Sequence, residues 1–492
     1  MKDDHARAVE RSGSSVPAGG QRAALSLPVL GQRPGAARKL NAQPVVSFVS
    51  LGCAKNLVDS ERMLGELAQS GAVLSSDESQ ADTVVVNTCG FLESSRAEAL
   101  EIIRELAERK RAGGLKRLIV AGCLVQRDGE QIRRQVPEVD ALVGVNNRDD
   151  VVRAVWRMDR DSGVSLYLGD YHGGPWSDQA RVRLTPRHYA YVRISEGCDQ
   201  KCTFCTIPSI RGPMHSKPPE QIVAECRELI ADGARELILI GQDTTSYGQD
   251  IDYRPGLAGL LRTLDRECVG ADWLRLMYVY PSVMTDEIID AIAECERVVK
   301  YIDIPLQHIS DRVLRRMYRR VTRADTEALL DKLRRRIPDV TIRTTFIVGF
   351  PGETESEFQE LLEFLQSAQF DAAGAFKYSR EAETPSGRMK EQLDERTIAQ
   401  RYERLMLAQQ EIAFAAARRR VGKRFEIVID DNDERGAIGR HAGQAPEVDA
   451  ACILVDEESA PGAVLRVRCI DTDDYDLVVA RAKSSRSTPR RR

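Results

Sequence analysis

From residue 45 to about 155, short apolar runs alternate with longer stretches that are apolar at every third or fourth position. VVSFVS (45–50), DTVVVN (82–87), RLIVAG (117–122) and ALVGV (141–145) read as strands, and 57–69 and 93–111 as helices. Unbroken apolar strands separated by helices are covered on both faces, which predicts a parallel sheet in an α/β domain spanning 44–155. Residues 156–183, rich in Asp, Gly and Pro, predict a linker. The alternation then resumes. HYAYVRIS (188–195), ELILIGQD (236–243), LRLMYVYP (274–281), YIDIPLQH (301–308), IRTTFIVGF (342–350) and AGAFKYS (373–379) are six further strands. PPEQIVAECRELIADGA, between the first two, has Pro near its start and Gly just past its end, as helix termini prefer. Six such βα units predict a partial (βα)6 barrel over 184–416, closed by a helix at about 394–420. The rhythm changes once more: RFEIVID, AIGRHA, ACILVD and AVLRVRCI are short alternating strands, predicting a small all-β barrel over 417–483. Residues 1–43 lack periodicity and predict a disordered extension, and 484–492 a solvated basic tail.

A chain of 492 residues exceeds a single core, and 42% apolar with 30% charged residues describes a globular protein. No apolar run approaches the roughly 18 residues of a membrane span. The opening MKDDHARAVERSGSSVPAGG has no apolar core of a signal peptide, so a cytoplasmic location is expected. In a reducing compartment the eleven cysteines are thiols or metal ligands rather than a disulfide framework.

Six of the eleven are patterned. Cys198, Cys202 and Cys205 lie in ISEGCDQKCTFCTIPSIRG, spaced C-x3-C-x2-C with no fourth cysteine near, directly after the first barrel strand. Three soft thiolates suit three irons of a [4Fe–4S] cluster and leave the fourth iron open. Structural zinc, the alternative, takes four ligands. Cys53, Cys89 and Cys123 each follow the end of a predicted parallel strand, so they should meet at one sheet edge, with Gly52, Gly90 and Gly122 permitting close backbone approach. Cys226, Cys268, Cys295, Cys452 and Cys469 share no such placement and are expected to be structural. RRMYRR (315–320) reads as a solvated helix face.

The C-x3-C-x2-C loop after the first strand of a six-unit barrel resembles the radical S-adenosylmethionine (SAM) superfamily. Two cysteine triads in this order, followed by a small β-barrel similar to a TRAM module, resemble the methylthiotransferases over roughly 44–485. SLGCAKNLVDSE, LIGQDTTSYG, YIDIPLQH and RTTFIVGFPGETE look most like the RimO type, which modifies an aspartate of protein twelve of the small ribosomal subunit. The tRNA-modifying branch reads closer to GCQMN and GQNVN where this chain has GCAKN and GQDTT.

The resemblance implies an enzyme with two [4Fe–4S] clusters. Cys198, Cys202 and Cys205 would hold the SAM-cleaving cluster, and Cys53, Cys89 and Cys123 an auxiliary cluster that carries or donates sulfur. One SAM would provide methyl, and a second the 5′-deoxyadenosyl radical that removes hydrogen from the aspartate β-carbon. Gly241, Gln242 and Asp243, with Gly349, Pro351 and Gly352, follow barrel strands and are candidates for SAM or substrate contact. An external electron donor and sulfur source are implied, and a monomer with no membrane contact.

Charge bears on the substrate. Residues 425–476 carry 14 Asp and Glu against four Arg and no Lys, a formal −10. Such a domain repels a phosphate backbone and suits a basic protein, which disfavours tRNA. The chain departs from the family at Ala54, usually Pro. GRHAGQAPEVDA stands for RSYADAPEID, which puts substrate contacts there in question, and REAETPSGRM replaces a short turn.

Overall fold

The computed structural model describes residues 43–157, 164–170 and 176–482. The expected N-terminal extension and C-terminal tail therefore fall outside the described residues. The first sheet has six parallel strands in the order Val73–Leu74, Val45–Ser50, Thr83–Thr88, Arg117–Gly122, Ala141–Gly144, Ser165–Tyr167. Its last strand comes from the stretch predicted to be a linker. A three-residue edge strand needs only backbone pairing, here Ala141 against Ser165, and so leaves no periodic signal. Further along the same stretch, Asp178 is wholly buried.

The helix Ala54–Gln69 begins three residues before the predicted start. Its first turns are polar yet buried: Lys55, Asn56, Asp59, Ser60 and Glu61 all face protein rather than water. A pattern that equates polar with exposed starts this helix too late.

Six parallel strands follow in sequence order: Tyr189–Arg193, Glu236–Ile240, Trp273–Leu276, Tyr301–Asp303, Thr341–Val348 and Ala372–Lys377. The ladder breaks between the third and fourth. The gap is spanned by Leu274 N–H to Arg297 O at 2.7 Å, Val299 N–H to Leu274 O at 3.0 Å and Val279 N–H to Asp303 O at 2.9 Å. Leu260, Leu261, Ile289, Ile292, Phe358 and Leu365 of the outer helices pack on the outside of this partial barrel. Cys226 and Cys268 lie thiol to thiol within that layer, and Cys295 is buried nearby.

The C-terminal part is a closed five-stranded barrel, Arg424–Asp433, Gly436–His441, Cys452–Val455, Asp476–Arg481 and Val464–Asp473, with Cys452 and Cys469 in its core. The strand Asp476–Arg481 is additional to the four read from the sequence. The altered segment 440–449 packs against the α/β barrel. Arg440 pairs with Glu236 at 2.8 Å, Arg275 donates to Ala442 O at 2.9 Å, and Tyr301 donates to Asp449 at 2.7 Å. Tyr189 donates to Glu447 at 2.9 Å, and Ala445 sits among Tyr189, Tyr191 and Tyr301. These partners mark the starts of the strands, so the segment closes the N-terminal end of the barrel, away from the cysteine loop. Among the described residues no helix is long and apolar enough to cross a membrane.

Candidate functional site

Cys53, Cys89 and Cys123 follow three strands that are neighbours in the sheet, so their loops stack along one edge. The contacts interleave. A Cβ on Gly52 would lie 2.9 Å from Cys89 Cβ, and one on Gly90 would lie 2.7 Å from the Cys123 carbonyl carbon. Cys53 caps the helix Ala54–Gln69 and Cys123 opens the helix Cys123–Gln135, so two of the cysteines sit at helix N-termini. Burial pushes the Cys123 thiol up to about 12 and raises Cys89. A metal must displace these protons to bind.

Gly52 has φ +101°, a conformation that side chains rarely adopt. Gly52→Ala is expected to cost about 1–3 kcal/mol and to displace Cys89. A lowered denaturant midpoint together with loss of bound iron would show it. Wild-type values of both would leave the close packing without consequence.

The loop carrying Cys198, Cys202 and Cys205 leaves the first barrel strand through Ser195–Glu196. Cys198 N–H donates to Gly212 O at 3.2 Å, Thr203 N–H to Met317 O at 3.0 Å, and Asp199 accepts from Met214 N–H at 3.0 Å. Ile207 N–H points at Cys205 Sγ from 3.4 Å. Cys202 Sγ lies 3.7 Å from the Tyr280 hydroxyl and 3.8 Å from an Arg319 nitrogen. Burial pushes the Cys198 and Cys205 thiols up to about 12.

Arg319 corrects the reading of RRMYRR as a solvated face. The helix Asp311–Arg316 ends at Met317, and Tyr318 turns left-handed at φ +58°. That turn throws Arg319 inward, where it is buried and stacked 4.1 Å over the Tyr280 ring.

Among the described residues no three His, Cys, Asp or Glu side chains draw together tightly enough to hold a single metal ion. A four-iron cluster makes a different demand, one thiolate for each of three irons, with hydrogen bonds and charges around the sulfurs. Three stacked thiol loops beside Arg211, and a second loop with N–H, hydroxyl and guanidinium groups on its sulfurs, fit that group.

The two triads are joined by charges that the sequence did not single out. Arg211 donates to Glu196 at 2.8 Å, to Asp59 at 2.9 Å and to Cys123 Sγ at 3.3 Å. Arg193, wholly buried, reaches Asp59 and Asp178, both at 2.6 Å, and also Glu196. Lys217 continues the network to Asp178 at 3.1 Å and to Glu225. Burial alone would raise the carboxyls of Glu196 and Asp178, but the surrounding Arg and Lys charges hold both well below the usual carboxylate range. The upstream helix is thus docked on the barrel by a buried network of ion pairs.

The six other candidates separate. Gln242 donates to Glu196 at 2.8 Å, and Asp243 accepts from Gln200 of the cysteine loop at 2.9 Å. Gly241 passes so close to Ser195 that a Cβ would lie 2.6 Å from its hydroxyl. These three residues therefore stand beside the cysteine loop. Gly349 packs on Ile398 and Gly352 on Arg316, while Glu353 accepts from Gly349 N–H at 2.9 Å and from Arg401 at 2.7 Å. Pro351 is buried in this turn. Phe350 of this turn packs in one cluster with Phe204 of the cysteine loop.

Comparison with known proteins agrees with this layout. Residues 192–365 match the radical SAM superfamily, 45–144 a family described as uncharacterized protein family UPF0004, and 421–481 the TRAM domain. The ribosomal protein uS12 methylthiotransferase RimO of Geobacter sulfurreducens is 42% identical, over 89% of this chain and 98% of its own. RimO of Solibacter usitatus is 44% identical, over 88% and 94%. Among solved structures, the radical S-adenosylmethionine methyltransferase TsrM of Kitasatospora setae, with cobalamin and a [4Fe–4S] cluster bound, aligns with a TM-score of 0.52. At 16% identity, over 70% of this chain and 77% of that one, it shows a shared fold. Radical SAM membership carries SAM and a [4Fe–4S] cluster as cofactors. Each cysteine triad lies inside a matched segment, and the identity extends over nearly the whole described length: the chain belongs to the RimO family of radical SAM methylthiotransferases.

Proposed function

We propose that this chain methylthiolates ribosomal protein uS12, as the names of its relatives suggest, and that the group goes to the β-carbon of an aspartate. The observation that carries this reading is the link between the two thiol triads through Arg211, which reaches Cys123 Sγ at the sheet edge and, on the barrel side, Glu196, two residues before Cys198. When bound, a [4Fe–4S] cluster on Cys198, Cys202 and Cys205 supplies the electron that cleaves SAM, and a second on Cys53, Cys89 and Cys123 supplies the sulfur.

The chain's own residues arrange the rest. Tyr280 and Arg319 cover Cys202, which limits water there and places positive charge beside the sulfur. Glu196 stays ionised and fixes Arg211 from the barrel side, while Asp59 fixes it from the upstream helix. Gln242 and Asp243 brace the cysteine loop against the second strand. An external reductant and sulfur source complete the cycle, and the cytoplasm is the setting this reading requires.

Charge supports a protein substrate over tRNA. Of the acids in the C-terminal barrel, Asp430, Glu447 and Asp449 are engaged by His188, Tyr189 and Tyr301. Asp431, Asp433, Glu434, Asp471, Asp473 and Asp474 stay exposed on two neighbouring hairpins, with Arg435 between them. That surface repels a phosphate backbone and attracts a basic protein. Mass spectrometry of uS12 and of digested tRNA from cells with and without the chain tests the proposal. The expected result is one methylthio group on uS12 that disappears with the chain. Unchanged uS12 and lost tRNA methylthiolation would overturn it.

A further inference from the structure

Lys55 is the second residue of the helix that Cys53 caps, and it keeps only 7% of its surface exposed. Its ammonium rests 3.0 Å from the centroid of the Tyr278 ring. Among the described residues it has no carboxylate within ion-pair distance.

The groups of opposite charge that feel it are first the Cys53 sulfur, two residues before it, and then Asp303 and Glu196; the two carboxylates are committed elsewhere. Asp303 accepts from Tyr278 N–H at 3.1 Å and from Arg343 at 2.8 Å. Glu196 is taken by Arg211, Arg193 and Gln242. A buried cation with no carboxylate of its own is costly, and one held ready on an aromatic face is suited to a carboxylate that arrives later.

The place is also informative. Tyr278 follows the third barrel strand and Asp303 ends the fourth, so Lys55 stands at the C-terminal end of the barrel beside the upstream triad. Tyr278 is itself held in a left-handed conformation, φ +61°, by Asp303 on its N–H and by Thr244, whose hydroxyl donates to its carbonyl at 3.1 Å. Strain of this kind persists only where the surroundings enforce it, and here it fixes the ring beneath the ammonium.

We propose that Lys55 anchors the side-chain carboxylate of the substrate aspartate. This rests on the function proposed above. The carboxylate carbon is bonded directly to the β-carbon, so an ion pair at Lys55 fixes the reacting carbon next to the upstream thiols. It also sets specificity, because a site that pairs a charge rejects the neutral amide of the same shape.

The test uses full-length chain, reconstituted anaerobically with iron and sulfide, and two labelled peptides spanning the modified loop of uS12. One carries the target aspartate and the other asparagine. Wild-type protein should prefer the aspartate peptide by about 10- to 100-fold, the worth of one charge-assisted hydrogen bond. Lys55→Gln should bring that ratio close to one by weakening the aspartate peptide alone, with iron content unchanged. Lys55→Met, which keeps the packing on Tyr278, should behave alike.

A variant that retains the preference overturns the anchor. Loss of iron in step with both peptides would assign Lys55 to the upstream cluster and overturn it as well. Wild-type protein that methylthiolates uS12 but binds both peptides equally refutes the anchor alone. Wild-type protein that leaves uS12 unmodified refutes the proposed function, and the anchor with it.

Discussion

Replacing Cys198, Cys202 and Cys205 together by alanine is expected to halve the bound iron, from about eight atoms per chain to about four, and to abolish SAM cleavage. The same replacement of Cys53, Cys89 and Cys123 should also remove about four irons, yet spare cleavage while ending methylthio transfer. The asymmetry follows from the geometry. The downstream loop is anchored on the barrel through Gly212, Met214 and Met317, none of which belongs to the upstream sheet. The upstream thiols stack on one another through Gly52 and Gly90, and touch the barrel through Arg211. Each site can therefore be emptied with the other in place. Anaerobic iron and acid-labile sulfide analysis, beside 5′-deoxyadenosine release, measures both effects. Eight irons in either triple variant would show that its cysteines are not the ligands. Zinc in place of iron in wild-type protein would remove the radical reading altogether.

The second large effect is expected at Arg193. Its guanidinium has no exposure and serves Asp59 of the upstream helix, Asp178 of the connecting stretch and Glu196 of the barrel. Arg193→Met would leave three buried carboxylates with Arg211, Arg148 and Lys217 as their remaining cations. Removing one member of a buried ion pair typically costs about 3–5 kcal/mol, because the partner stays desolvated and unpaired. A loss within that range is expected here, since three acids lose a shared cation while Arg211, Arg148 and Lys217 stay beside them. The first unfolding transition should move to much lower denaturant, and protease should cut between residues 156 and 183 in the variant before it does in the wild type. A midpoint within experimental error of wild type would show that the neighbouring cations suffice.

Much of this architecture is legible in the sequence, for a simple reason. Parallel strands covered on both faces leave unbroken apolar runs, and loops after such strands must fall on one edge. The upstream cysteine triad follows from those two facts, and the downstream one from its C-x3-C-x2-C spacing. What escapes is polar and long-range. Asp59, Arg193, Glu196 and Arg211 look like ordinary charges because their charged partners lie up to 152 residues away. Lys55 and Asn56 look exposed because helices commonly begin with polar residues, whereas here the first turn is wedged between sheet and barrel. Arg319 looks solvated because the run RRMYRR suggests a continuing helix, and nothing in six residues announces the left-handed turn at Tyr318. One local signal was available for Glu196 and Arg211: both flank the cysteine loop directly, where charge is not needed for solubility.

The segment 440–449 reaches the floor of the α/β barrel, and this has a consequence for how the chain comes into being. Glu236 meets Arg440, Tyr301 and Arg343 meet Asp449, and Tyr189 and Tyr191 meet Glu447, only once the last domain has been synthesised. A polypeptide halted before that point holds all six cysteines of the two triads and every strand of the α/β barrel, yet carries open polar groups at the base. Its barrel base lacks the partners that residues 440–449 bring to Glu236, Tyr301 and Arg343 in the finished protein.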